Sequence, residues 1–405
     1  MFATTLYTLS LAVVFCIQRK FFYPTMKKLS SGMLFSIMQN IFAILSASLS
    51  FTLLQAQTYY PDASLRLHPV WSRVADVNGE FGSIESAEFS PDGRYIVSGS
   101  KFDNSIIMWR TSDGTELWRQ YAAQEVERVG WSADGKWVAS CSEDHLVQIW
   151  DAKTGQLFKN LPHKDGIDAL IWSNTGSLLV TGEEQTFSEV NGEKRVHGIV
   201  RVFQMPEGKV LFERDHGGTI NEVKYTQDGK YLLTSGHNAV KVWKADDMSL
   251  VQAFKSPTYY NYVTAEFSPD GKYIAAGGDK GWLFIWDWQA GKLIKEFNYT
   301  GRKIESVAWH PNGEYLLSSG HGPYITIYRT RDILSEMKEI PAAAQVFAND
   351  GMEYIDFSAN GAYLVSAHQD GIIRLWVWMS ENPNLNAERH RWVSEQQAKM
   401  NEGKN

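Results

Sequence analysis

A five-residue phrase recurs seven times along this chain of 405 residues: an aromatic residue, three small or polar residues, and then glycine. Successive aromatic residues are separated by 42, 41, 53, 42, 42 and 48 residues. A repeat with a period of about 40 residues indicates one small structural unit that is stacked many times. The phrases begin at Phe89, Trp131, Trp172, Tyr225, Phe267, Trp309 and Phe357.

The residues around each phrase predict β-strands. An apolar or small residue, such as Val129 or Val223, stands two positions before each aromatic residue, and a spacing of two places both side chains on one face of a strand. The phrase itself is typical of a hairpin turn, because Pro, Asp, Asn and Gly favour turn geometries. Two further strands and usually a fourth follow it. Each repeat therefore predicts four antiparallel strands, as in one blade of a β-propeller.

The last repeat has only three predicted strands, so its fourth is expected from the other end of the chain. The segment Pro69–Val77 precedes the first repeat, and in it Val70, Ser72 and Val74 alternate with other side chains. Pairing of this strand with the last repeat would close the ring and remove free sheet edges. We therefore expect an all-β fold: a seven-bladed β-propeller of four-stranded antiparallel blades, closed by an N-terminal strand that completes the last blade.

Two Trp-Asp pairs end predicted third strands, at Trp150-Asp151 and Trp286-Asp287. With the repeat around them, they make the chain resemble the WD-repeat (G-beta-like) β-propeller family over about Val70 to Trp378. The resemblance implies a hydrogen-bonded network around the tryptophan, for which His216 is a candidate. It also implies that the following residues hold structural positions: Trp109, Trp150, Asp151, Trp243, Trp286, Asp287 and Trp376.

The first 57 residues form a predicted leader. They contain no acidic residue and four basic ones, and a long uncharged segment follows Lys28. A basic start, an apolar middle and a small residue such as Ala56 are typical of a secretory signal peptide. We expect synthesis to start at Met26 and cleavage to follow Ala56. The alternative is an uncleaved membrane anchor, because the uncharged segment is long enough to span a bilayer.

Three domains follow from these patterns: the leader 1–57, the propeller 58–380 and a polar tail 381–405, for which a helix and an irregular segment are the alternatives. Removing the leader's four bases shifts the formal net charge from −7 to −11. An acidic chain without a basic cluster argues against nucleic-acid binding. The single cysteine outside the leader, Cys141, is expected to be buried, and we expect a monomeric propeller.

No motif for catalysis, phosphate binding or metal binding stands out. The ten histidines are scattered singly, so we expect no metal site, no cofactor and no catalytic residue. The leading hypothesis is a non-catalytic, exported scaffold, either periplasmic, at the cell surface or secreted, that binds a protein or peptide. The alternative is an exported propeller enzyme, a hydrolase or quinoprotein-like oxidoreductase, whose site lies in the central channel and would need acids, arginines or a metal there.

The 53-residue interval reveals an insertion in the third repeat, Glu183–His197, which is mostly polar and charged. Long loops on a regular scaffold are frequent sites of recognition; the alternative is a hairpin extension without function. In the WD-repeat family the turns between second and third strands share one face. The residues predicted there to bind a partner are Glu184, Phe187, Glu193, Arg195, His145, His237, Lys280, Trp282, His321, Tyr324 and Gln369.

Overall fold

The computed structural model describes residues 66–76, 82–184, 186–190, 193–255, 261–298 and 301–379, and only the backbone at residues 66, 186–190 and 193–195. All of these residues belong to the unit Thr58–Asn405. The predicted leader 1–57 and tail 381–405 lie outside the described residues, so their boundaries stay predictions.

Seven antiparallel four-stranded sheets follow one another along the chain and confirm the predicted blades. The first strands are Ile84–Phe89, Val126–Trp131, Ile167–Trp172, Ile220–Tyr225, Tyr262–Phe267, Ile304–Trp309 and Met352–Phe357. The second strands are Tyr95–Ser100, Trp137–Ser142, Leu178–Glu183, Tyr231–Gly236, Tyr273–Gly278, Tyr315–Gly320 and Tyr363–His368. The third strands are Ser105–Arg110, Leu146–Asp151, Ile199–Gln204, Ala239–Lys244, Trp282–Asp287, Tyr324–Arg329 and Ile372–Met379. The outer strands are Thr115–Tyr121, Leu157–Pro162, Lys209–Asp215, Leu250–Phe254, Lys292–Asn298, Ala344–Phe347 and Arg66–Val74.

The seven blades form a closed ring. The first strand of each blade packs beside the first strands of its two neighbours, and that of blade 7 packs beside that of blade 1. The core lies between adjacent blades, where apolar residues of the first three strands are buried. Blade 1 contributes Ile84 and Ile96 to this core, and both are fully buried. Packing between neighbours on both sides explains why a single blade cannot fold alone.

The N-terminal strand Arg66–Val74 pairs antiparallel with the third strand of blade 7, as predicted. The strand differs from the prediction in two ways. It starts three residues earlier, and a bulge lies between Pro69 and Trp71. The bulge buries both Val70 and Trp71 and leaves Val74 59% exposed, so the predicted simple alternation is wrong. Proline has no amide hydrogen to donate to the neighbouring strand, which accounts for the irregularity at this position.

The repeated phrase forms the turn between first and second strands. In blade 1, the Ser90 hydroxyl donates to Asp92 Oδ1 (2.7 Å) and accepts from the Tyr95 amide (3.0 Å). Gly93 adopts a φ of 70°, a conformation that costs glycine little and other residues more. In blade 6 the serine position holds His310, and its Nδ1 lies 2.7 Å from Asn312 Oδ1.

A network of buried hydrogen bonds supports the tryptophans of the third strands. Trp243 Nε1 donates to Thr234 Oγ1, and His216 Nδ1 lies 2.9 Å from the same hydroxyl. This contact confirms the role expected for His216. The other blades keep parts of the network: Trp109 donates to Ser98, Trp150 to Ser140 and Trp376 to Ser366.

Two segments depart from the repeat. The insertion forms a hairpin of strands Thr186–Val190 and Glu193–His197. Glu183, which the sequence analysis included in the insertion, belongs instead to the second strand, is fully buried and forms an ion pair with Arg201. The long segment from Arg329 to Asp350 contains the short helix Thr330–Ile333 and the outer strand Ala344–Phe347.

Candidate functional site: the mouth of the central channel

Every first strand contains a β-bulge at its second residue. In blade 1, for example, Ile84 pairs with Ser100 and Ser86 with Gly99, so Glu85 has no partner in the ladder. A bulge redirects the side chain of the extra residue. Five of the seven bulged residues are acidic. We call the set the channel ring: Glu85, Glu127, Asp168, Asn221, Val263, Glu305 and Glu353.

A second set of equivalent residues follows the second strands. The amide of each donates to the carbonyl of the residue that precedes its blade's first strand, over 2.9–3.4 Å. This repeated hydrogen bond holds the turn between second and third strands beside the start of the first strand. We call the set the mouth ring: Lys101, Glu143, Glu184, His237, Asp279, His321 and Gln369.

The two rings surround a cavity of about 570 Å³ that is lined by residues from all seven blades. Its acids are close enough to affect one another. Burial, with the neighbouring Glu353, raises the pKa of Glu85 to about 7. Burial, with Glu85, raises the pKa of Glu127 to about 8. Lys101 and Lys303 also line the cavity, but the pKa of these acids stays high because burial and like charges disfavour a carboxylate.

Two groups at this mouth bring three potential metal-ligand side chains together, with one donor atom from each within 4.8 Å of the others. The first group consists of Glu305 and His321 from blade 6 and Glu353 from blade 7. The second consists of carboxylates only, from Glu143, Asp168 and Glu184. Because Glu184 lies two residues before the first strand of the insertion hairpin, the base of the hairpin lies at the channel mouth.

Below the channel ring, a further layer of charged side chains fills the channel. Glu222 is 2% exposed and lies 3.6 Å from Arg128 Nη2 and 3.8 Å from Lys224 Nζ. Lys224 donates to the Tyr354 hydroxyl over 2.7 Å, and the Arg128 guanidinium lies over the Tyr354 ring. We call these four residues the buried layer. Of the four, Arg128 also lines the cavity.

Other acids beside the buried layer connect neighbouring blades. Asp356 of blade 7 accepts the amide of Phe89 in blade 1 over 3.0 Å. Glu266 of blade 5 accepts the amide of Trp309 in blade 6 over 2.8 Å. A buried amide that donates to a charged carboxylate forms a strong hydrogen bond. These carboxylates therefore have a structural role that those of the channel ring lack.

Four of the predicted partner-binding residues occupy the same repeat position. Glu184, His237, His321 and Gln369 all belong to the mouth ring. Gln369 Nε2 donates to Glu353 Oε1 over 2.6 Å, and His321 Nε2 lies 2.7 Å from Glu305 Oε1. The structure therefore brings residues from blades 3, 4, 6 and 7 to one face.

The other predicted residues are placed differently. His145 and Lys280 are exposed in the same kind of turn, with φ values of 66° and 67°. Trp282 and Tyr324 are half-buried at the start of third strands, where Tyr324 packs against Phe347 and Trp282 against the core of its blade. Phe187, Glu193 and Arg195 lie on the hairpin strands, and their side chains are outside the description.

The sequence analysis missed the channel ring. The signal was present, because the residue after the first buried position of each first strand is acidic in five repeats. A period-two pattern predicts that this side chain lies on one of the two faces of the strand. The bulge instead turns the side chain in a different direction. The enzyme alternative required convergent ionisable groups in the channel, and the described residues provide them.

The chain belongs to the WD-repeat family. The family model described as "WD domain, G-beta repeat" matches residues 71–110, 117–151, 208–244, 249–287, 291–329 and 348–377. The unmatched interval between the second and third of these matches contains the insertion hairpin. The fold and the family predicted from the sequence are thus both confirmed.

Curated relatives share this architecture at low identity. The chain is 25% identical to "Protein tipD" of Dictyostelium discoideum, over 60% of this chain and 39% of that protein. It is 20% identical to "Autophagy-related protein 16" of Arabidopsis thaliana, over 62% of this chain and 48% of that protein. It is also 20% identical to "Serine-threonine kinase receptor-associated protein" of Gallus gallus, over 62% and 68%.

The chain thus spans less than half the length of the first two of these relatives. Within the described part of the chain, no helix has the length and apolar character needed to cross a membrane.

Proposed function

We propose that this chain is a non-catalytic scaffold that binds a protein or peptide partner at the face formed by the mouth ring and the insertion hairpin. The observation that carries the proposal is the position of Glu184, which joins the hairpin to the carboxylates of Glu143 and Asp168 at the channel mouth. A partner that touches the hairpin would therefore also reach the acidic cavity. Similarity to WD-repeat relatives supports a role in protein interaction.

The chemistry of the mouth favours a basic partner segment. Five of seven channel-ring positions are acidic, and the bases that line the same cavity, Lys101, Arg128 and Lys303, are fewer. A lysine or arginine side chain in the cavity would gain Coulomb attraction from several carboxylates at once. It would also oppose the effects of burial and of Glu85, which together raise the pKa of Glu127.

The first test is affinity capture of the tagged full chain from its own cells after crosslinking. The informative variant replaces residues 186–196 by Asn-Gly and keeps Glu183, because that buried carboxylate forms an ion pair with the buried Arg201. We expect a partner that the unaltered chain captures and the variant loses. Capture of the same partner by both proteins would rule out the hairpin as part of the site.

A second pair of variants tests the acidic mouth. Glu127→Lys adds a positive charge to the cavity, and Glu207→Lys reverses a charge in a turn after a third strand, on the opposite face. We expect weaker binding of the captured partner with the first variant and unchanged binding with the second. Equal binding by both would show that the partner does not use the channel.

A propeller enzyme is the second candidate function. The ionisable groups that converge in the channel favour it. Such an enzyme would act on a small molecule that enters the cavity. Screening of hydrolase and redox substrates with the unaltered chain and with Asp168→Asn tests it. Turnover that the substitution abolishes would replace the scaffold proposal.

Export of the chain is part of the proposal and rests on the leader 1–57 alone. The predicted cleavage after Ala56 gives a direct experiment: fractionation of cells followed by N-terminal sequencing of the propeller. We expect a mature chain that starts at Gln57 outside the cytoplasm. A full-length protein in the membrane fraction would favour the uncleaved anchor.

A further inference from the structure

The cluster of Glu305, His321 and Glu353 at the channel mouth has the composition of a metal site, although its members are far apart in sequence. Glu305 is the bulged residue of the first strand of blade 6, and His321 follows the second strand of that blade. Glu353 is the bulged residue of blade 7. The bulges and the turn therefore bring two carboxylates and one imidazole to the same point.

The backbone near His321 packs tightly against the start of the first strand of blade 6. The His321 amide donates to the Lys303 carbonyl over 3.1 Å. Gly320, the preceding residue, lies so close to the same carbonyl oxygen that a Cβ there would collide with it. The second strand therefore ends directly against the start of the first strand. This contact places the imidazole beside Glu305, with Nε2 2.7 Å from Oε1.

The buried carboxylate of Glu305 faces the cavity and contacts two basic side chains. The Glu305 side chain is only 6% exposed and lines the cavity. Its Oε1 lies 2.8 Å from Lys303 Nζ and 2.7 Å from His321 Nε2. This oxygen therefore already interacts with a cation, in the position that a metal ion would take.

We propose that Glu305, His321 and Glu353 bind a divalent transition-metal cation of the zinc type. Their donor atoms lie within 4.8 Å of one another, so small side-chain rotations bring them to the ligand spacing of a tetrahedral ion. A set of one imidazole and two carboxylates suits Zn²⁺ better than Ca²⁺, which prefers oxygen ligands alone. His321 is half-exposed, which gives the ion access from solvent.

Lys303 competes with the ion for the same oxygen. Its ammonium lies 2.8 Å from Glu305 Oε1 and is itself half-buried, so metal binding has to move it away. Removal of this charge therefore strengthens the site. An increase in affinity after loss of a cation is an effect that a purely structural cluster would not produce.

The proposal is tested by titration of the full chain with Zn²⁺ alone in a calorimeter, with Ca²⁺ as the comparison. We expect one equivalent of Zn²⁺ to bind and Ca²⁺ to bind more weakly. His321→Ala and Glu353→Gln should each weaken Zn²⁺ binding at least about tenfold, as expected for loss of a ligand. Lys303→Met should strengthen it.

Two control variants separate this site from others on the same face. His145→Ala removes an exposed histidine in the equivalent turn of blade 2, and Glu184→Gln removes one carboxylate of the second cluster. Both should leave Zn²⁺ affinity unchanged. The visible absorption of bound Co²⁺ provides a second readout, which His321→Ala should abolish.

The proposal is overturned if the unaltered chain binds no Zn²⁺, or if His321→Ala and His145→Ala bind it equally well. It is also overturned if Glu184→Gln abolishes binding while His321→Ala preserves it. Circular dichroism of each variant identifies loss of fold, and Lys303→Met keeps the proposal testable if Glu353→Gln fails to fold.

Discussion

The channel of this propeller contains two charged regions that differ in how their charges are balanced. In the buried layer, Glu222 lies between Arg128 and Lys224, and Tyr354 contacts both bases. In the channel ring, acids such as Glu85 and Glu127 face one another across a cavity. Both regions come from the same strands of the same repeat. In the buried layer the acid has a base on either side, whereas the cavity is lined by five acids and only three bases, Lys101, Arg128 and Lys303.

The largest effect is expected in the buried layer. Glu222→Ala would leave Arg128 and Lys224 buried without their shared carboxylate. Loss of one partner from a buried ion pair costs about 3–5 kcal/mol, so we expect the free energy of unfolding to fall by that order. Urea denaturation measures it. A loss below about 1 kcal/mol would show that the buried layer and the mouth do not differ as described.

The next effect concerns Glu266, which lies beside the buried layer. Burial, despite the opposing effect of Lys224, raises its pKa to about 7. The folded chain therefore binds this proton more tightly than the unfolded chain does. Stability from this group is greatest at low pH and falls as the pH rises from the unfolded value near 4.5 through about 7.

Glu266→Gln removes that titration and keeps an oxygen that can accept the Trp309 amide. We expect the unfolding free energy of the variant to fall less between pH 5 and pH 8, by about 1–2 kcal/mol. Chemical denaturation at several pH values is the measurement. Parallel pH curves for the variant and the unaltered chain would contradict the assigned pKa.

A smaller effect of the opposite kind is expected at the mouth. Burial, with repulsion by Glu85, raises the pKa of Glu127 to about 8, so its charge above that pH costs stability. Glu127→Gln should therefore leave stability unchanged or raise it by about 1 kcal/mol at pH 9. Thermal unfolding at pH 6 and pH 9 tests this. A clear loss of stability would mean that the channel ring, like the buried layer, is structural.

The smallest effect on stability is expected from the insertion hairpin. Its two strands form a separate sheet that pairs with no blade among the described residues. Replacement of residues 186–196 by Asn-Gly should change the unfolding free energy by less than about 0.5 kcal/mol, as for other surface changes. Partner binding should be lost in the same variant. A large loss of stability would show that the hairpin supports blade 3.

The sequence by itself determined the number of blades, the strand order within each blade and the ring closure. These follow from local signals, because turn residues such as Gly93 and alternating apolar side chains repeat at a fixed spacing. It also predicted that His321 and Gln369 lie in turns on one face; that this face binds a partner stays a proposal. The leader and the function of the hairpin stay predictions.

Which side chains meet in the channel depends on the tertiary structure and could not be predicted from the repeat. Glu305, His321 and Glu353 become neighbours because bulges redirect two side chains and because blades 6 and 7 pack together. The one-residue irregularity at Pro69 was likewise missed, as was the burial of Glu183. A repeat pattern in the sequence predicts which face of a strand is apolar. It does not predict the direction of a side chain at a bulge, or which charged side chains lie close together in the ring.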